Sequence, residues 1–103
     1  MATIGTTIII EPTTEAAISP QFGITSTTQI CSVISTGYQG IEKSTVEVWN
    51  ESTNTWAPAL SLGVGYALDV NTNFLDFWST GGIFRINKEA TINAVGVTLR
   101  EYQ

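Results

Sequence analysis

The residues best equipped for chemistry in this chain are few and scattered. Asp69 and Asp76 flank the turn-forming Asn71-Thr72-Asn73, and a pair of carboxylates is the minimum for general acid–base work. A glycosidase sets such a pair in a long cleft with aromatic sugar platforms, for which 103 residues leave little material. Both acids therefore read as turn or edge residues. Calcium binding needs several oxygen ligands at close spacing, and no D-x-D-x-D loop is present. Cys31 lies in the apolar stretch QICSVI without a basic neighbour. A thiol in such surroundings behaves as a small core hydrophobe, since reactive cysteines need electropositive settings. Gly63-Val64-Gly65 is followed by no Lys-Ser or Lys-Thr and reads as a turn, not a phosphate loop. With no histidine in the chain, imidazole bases and imidazole metal ligands are excluded. These readings leave no catalytic, metal-binding or cofactor-binding residue.

Contact is the remaining chemistry. Trp49, Trp56 and Trp78 could each bury about 150–250 Å² in a core, or serve at a surface as protein anchors or sugar-stacking platforms. Both places stay open, although three indoles are hard to hide in so small a core. Ile8-Ile9-Ile10 is an aggregation hazard if left on a free strand edge. Pairing within the fold and pairing with a neighbouring subunit are the two ways to cover it. Ile8, Ile9, Ile10, Trp49, Trp56 and Trp78 are thus the candidate partner contacts. Arg85 and Arg100 are expected in surface or interface ion pairs with acids such as Glu89 and Glu101.

The elements that must position these residues are strands. The chain contains 16 Thr, 12 Ile and 8 Ser, types that suit a pleated, half-buried surface and serve poorly in helices. Residues 1–10 read as a first strand, with Ile4, Ile8 and Ile10 on one face, Ile9 on the other, and Glu11-Pro12 as its stop. Residues 13–23 read as a linker. The stretch 24–35 forms a second strand, buried on both faces at its centre as in the interior of a sandwich. Gly37 and Gly40 bracket a turn around Tyr38 and Gln39. A third strand over about 42–49 has Val46 and Val48 inward, and a polar loop at 50–54 leads into Trp56, which places Trp49 and Trp56 as a cross-strand pair. Pro58 confines the fourth strand to a start or an edge. Further strands follow at 66–70, 73–78 and 83–87, with Phe84 and Ile86 inward, and a turn spans 79–82. The last strand covers about 91–100, with Val95, Val97 and Leu99 on one face.

The expectation is an all-β chain: a single small β-sandwich or jelly-roll-like domain of about seven or eight short antiparallel strands. Residues 1–103 form one domain, with 1–23 as N-terminal strand and linker arm and 24–103 as the sandwich body. A domain this small buries only about 60–65% of its unfolded surface, a margin that oligomerisation would widen. Nine acids against four bases give a net charge of −5, which excludes the basic stripe needed for nucleic acid. No apolar run reaches the ~20 residues of a membrane span. One cysteine cannot close a disulfide within the chain.

The order STVEVWNESTNTWAP followed by TGGIFRINKEATINAVGVTLRE resembles short β-sandwich proteins of tailed-bacteriophage virions, over roughly residues 33–100. The shared pattern is a V-x-V strand (Val46–Val48), a polar loop into a T-W pair (Thr55-Trp56), a G-x-F-R-hydrophobic strand (Gly82 to Ile86), and a hydrophobic-G-V-x-L strand (Val95 to Leu99). The loop departs from the common D-G-G-T-T-W form, having Ser52-Thr53-Asn54-Thr55-Trp56 without the glycines. The resemblance implies a capsid decoration (cement) protein, or a neck, tail or fibre component, without catalytic residues. It implies the major capsid protein or other virion proteins as partners, a homotrimer, and residence in the virion after assembly in the host cytoplasm. A small carbohydrate-binding sandwich is the alternative the tryptophans leave open.

Overall fold

The computed structural model describes residues 3–24, 28, 30–61, 63–77 and 82–102. Among them there is no helix, and twelve strands follow in chain order: β1 Thr3–Thr13, β2 Ala17–Ile18, β3 Phe22–Gly23, β4 Ile30–Ile34, β5 Lys43–Asn50, β6 Thr55–Pro58, β7 Leu60–Ser61, β8 Val64–Gly65, β9 Ala67–Asp69, β10 Phe74–Phe77, β11 Ile83–Lys88 and β12 Val95–Tyr102. Four of these (β2, β3, β7 and β8) are two-residue strands. The remaining eight are the short strands that the turn spacing calls for. All pairings are antiparallel.

One sheet has the order β1-β12-β4-β10. A second has β2-β11-β5-β6, with β3 also on β11 and β9 also on β5, and β7 pairs with β8 as a separate two-stranded sheet. Strand residues alternate between faces, so each of the two larger sheets sends one apolar set inward, and the two sets form a single core. Cys31, Val33, Val95, Val97 and Leu99 come from the four-stranded sheet, and Val46, Leu68 and Ile86 from the six-stranded one. Phe22, Phe77 and Phe84 close one part of that core as an aromatic cluster, with Phe77 and Phe84 centroids 4.9 Å apart. The short axis of the molecule measures 22 Å, the thickness of two sheets about 10 Å apart plus their outer side chains. The small β-sandwich is thereby shown.

Several local expectations need correction. Pro12 does not stop the first strand: β1 runs on to Thr13. β1 is an edge strand of its sheet, and Pro12 falls in the bulge between the Ile10–Val97 and Thr13–Val95 pairs, where regular ladder bonding is interrupted and a missing N–H is tolerated. Register shifts at Ile8/Ile10 and Ile10/Thr13 are bulges, each of which turns the following side chain to the other face. Ile8 and Ile10 therefore do not share a face. Ile8 is 55% exposed and Ile10 is buried.

Residues 13–23 are more than a linker, because β2 and β3 both pair with β11 and carry the chain from one sheet to the other. Among the described residues the second strand covers Ile30–Ile34, and the last starts at Val95. Trp78, residues 79–81 of the expected turn, and residues 25–27 and 29 of the expected second strand lie outside the described residues, as does the side chain of Ile4. The expectations of an interior strand around Cys31 and of a turn at Gly37 and Gly40 hold. β4 is an interior strand with Cys31, Ser32 and Val33 all buried. Gly37 and Gly40 take φ of 103° and 60° at the turn, the left-handed region that glycine enters without penalty.

Candidate functional site

The fold presents two outward sheet faces, and the candidate contact residues divide between them. On the six-stranded sheet, the hairpin joining β5 to β6 aligns Trp49 with Trp56 and Asn50 with Thr55. The loop is held by Asn50, whose Oδ1 accepts from the Ser52 N–H and hydroxyl, and by Asn54 at φ 53°, a conformation asparagine tolerates. The two indoles sit 5.4 Å apart, tilted by 59°, as the cross-strand expectation requires. Arg85 is aligned with Glu47 on the neighbouring strand and donates from Nε to Glu47 Oε1 at 2.7 Å. Its guanidinium also lies 4.4 Å from the centroid of Trp56, a cation–π contact. Asn87 Nδ2 donates to the other Glu47 oxygen at 3.3 Å. Arg85 thus pairs with Glu47 and not with Glu89, whose Oε1 accepts from the Lys43 amide. Beside this cluster an open groove of about 550 Å³ is lined by Ile24, Trp49, Asn50, Glu51 and Ile83.

The four-stranded sheet faces the other way. Its pairings align Ile8, Thr98, Ile34 and Phe74 in one row and Thr6, Arg100, Ser32 and Asp76 in the next. Ile8 and Phe74, at the two ends of the first row, are 55% and 57% exposed. The Ser32 hydroxyl donates to Asp76 Oδ1, whereas Arg100 makes no ion pair among the described residues. The Glu101 carboxylate accepts from the Thr28 hydroxyl. A depression of about 290 Å³ is bounded by Ile8, Pro12, Ile34 and Thr98.

Of the six contact candidates, the structure places Trp49 and Trp56 together on one face and Ile8 on the other. Ile9 packs partly against the core and Ile10 belongs to it. The two carboxylates singled out for chemistry have separate duties. Asp69 Oδ1 accepts from the amides of Asn71 and Thr72, an Asx turn, and Asp76 holds Ser32. Among the described residues, no three Cys, Asp or Glu side chains gather as a metal site.

Cys31 is fully buried, and its thiol is pushed up to about 11 from 9.0 by burial first, then by the charges of Glu101 and Asp76. A raised folded-state value means that the native protein keeps a proton which the unfolded chain loses. Stability contributed by the protonated thiol is therefore complete below pH 9 and declines as pH rises towards 11. The decline amounts to about 2–3 kcal/mol. Comparing urea midpoints of the native chain and Cys31→Val at pH 8 and pH 11 is expected to show a steeper alkaline loss in the native chain. Equal losses would contradict this account.

A residue that sequence reading missed is Lys88. It continues the inward alternation of Phe84 and Ile86 along β11 and is wholly buried. That i, i+2, i+4 spacing was the available signal, masked by the lysine's usual preference for water. Its Nζ donates to Glu15 O at 2.8 Å, Glu89 O at 3.1 Å and Thr91 Oγ1 at 3.1 Å. Burial lowers its pKa, and the charge of Glu42 acts in the opposite sense. The opposite residue Ser44 is also buried and shares a 2.6 Å hydrogen bond with the Tyr38 hydroxyl. This polar end of the core is structural, since each donor already has its acceptor.

Comparison with known proteins gave no match: no family model, no curated protein and no solved structure matched the chain.

Proposed function

We propose that this chain is a non-enzymatic structural protein of a tailed-bacteriophage virion that binds the outer capsid surface and stabilises the shell. The observation that carries the reading is the Trp49–Trp56–Arg85 cluster on an outward sheet face, next to Ile83, which is 42% exposed. Tryptophan and arginine dominate the energetics of protein interfaces because each joins a large apolar area to a fixed polar handle. Here the pairing of Arg85 with Glu47 and its stacking on Trp56 hold these side chains in place before any partner arrives, which lowers the ordering cost of binding. The V-x-V, T-W and G-x-F-R elements behind the virion resemblance belong to the same hairpin and its neighbour β11. The net charge of −5 suits basic patches on a shell and repels packaged DNA. A neck, tail or fibre module would use the same face at far lower copy number.

Ile83→Lys tests the face directly, since it places a charge beside Trp49 without touching the core. It is expected to weaken binding to purified shells at least ~10-fold, and unchanged binding would remove this face from the reading. The groove beside Trp49, which joins an indole to Asn50 and Glu51, favours one second reading, a saccharide stacked on the indole. Glycan-dependent quenching or a blue shift of the tryptophan fluorescence would support it, and silence across a broad glycan array would dismiss it.

A further inference from the structure

We infer that the outer face of the four-stranded sheet is a self-association surface, on which a second copy of this chain packs about a two-fold axis lying over β4. This inference is independent of the virion reading and concerns the opposite face. Its basis is that the two aligned rows are complementary to themselves under one operation. A two-fold nearly parallel to the strands and over β4 lays a neighbour's β10 across β12 and its β12 across β10. Residues in one row then meet residues of the same row.

In the polar row, Arg100 comes to face Asp76 of the second copy, and Asp76 faces its Arg100, with Ser32 at the axis. Arg100 has no ion pair among the described residues, so one copy leaves the charge unanswered and two copies answer it twice. In the apolar row, Ile34 meets Ile34, and Phe74 descends on Thr98 of the second copy. Thr98 borders the depression between Ile8 and Ile34. At about 290 Å³ the depression has room for a phenyl ring, and Phe74 is the ring left in water, at 57% exposed. Charge, knob and hole all agree with the same axis.

The overlap involves three strands spaced about 4.8 Å apart and is therefore modest. It falls at or below the lower end of stable protein interfaces, so association on the order of micromolar is expected. Two sheets meeting face to face cross at about −30°, which keeps the rows aligned near the axis, where all these contacts lie.

The test is sedimentation equilibrium of the full chain and of four variants, with circular dichroism confirming the fold of each. The native chain is expected as a concentration-dependent dimer. Arg100→Glu and Asp76→Arg each set like charges against one another and are expected to weaken the dimer at least ~10-fold. The double variant Arg100→Glu/Asp76→Arg restores opposite charges and is expected to recover most of that loss. Phe74→Ala empties the depression and is expected to weaken it ~10-fold or more. A native chain that stays monomeric throughout, a trimer, or a dimer indifferent to both charge reversals would overturn the inference. So would a double variant no better than either single one.

Discussion

Lys88→Ala is expected to destabilise the protein by about 3–5 kcal/mol. The substitution removes the aliphatic stem from a wholly buried position and leaves a cavity between the sheets. It also strips the donor from the backbone carbonyls of Glu15 and Glu89. These bonds are part-buried, and losing the donor there costs about 1 kcal/mol each. Glu15 lies in the crossing between β1 and β2, so the ammonium ties the chain's passage between sheets to the end of β11. For a domain of about 100 residues, the loss corresponds to a fall in Tm of roughly 15–30 °C, a large share of the ordinary 5–15 kcal/mol of total stability. Lys88→Met keeps most of the volume and sheds the cost of burying a charge, so it is expected to lose about half as much. Urea denaturation of the two variants beside the native chain checks both the size and the order. A midpoint unchanged in Lys88→Ala would mean that the buried ammonium holds nothing.

Gly96→Ala has the second largest expected effect, about 2–3 kcal/mol. A Cβ at this position would lie 2.8 Å from Ile10 O, 2.9 Å from Pro12 N and 3.1 Å from Pro12 Cδ. Two of these are backbone atoms of the bulged part of β1, which cannot swing aside as a side chain would. The glycine is there because the edge strand approaches β12 too closely for any side chain. The strain falls on the β1–β12 pairing and not on the interior β12–β4 ladder. Hydrogen exchange is therefore expected to speed up at the β1 amides bonded to β12 while the β4 amides stay protected. Gly5→Ala serves as the control, since no atom lies within 4 Å of its added carbon and it is expected to be neutral within about 0.5 kcal/mol. Equal stability of the two variants would contradict the close approach.

What could be read from the residues divides by range along the chain. The Trp49–Trp56 pair was legible because a short polar loop fixes the register of its own hairpin. The buried faces of β4, β5 and β12 were legible because alternation survives in any sheet order. Local alternation does not report a bulge, and so the isoleucine run was divided wrongly: Ile8 looks outward and Ile10 inward through an extra residue at the edge. Pro12 reads as a terminator along the chain because the bulge that accommodates it on an edge strand is a property of the sheet. Lys88 lies one residue past the strand expected at 83–87, because its residue type outweighs the alternation it continues. The row joining Ile8, Thr98, Ile34 and Phe74 is assembled from four distant segments, and no spacing along the chain could disclose it. Both outward faces thus emerge only once strand order is known.

The proposed function requires this protein to occupy a shell in many copies. Co-sedimentation with purified capsid shells that lack it, with bound copies counted against the major capsid protein, tests this most directly. The account expects saturable binding at hundreds of copies per shell and a higher shell melting temperature once the sites are full. No binding, or only a handful of copies, would contradict it.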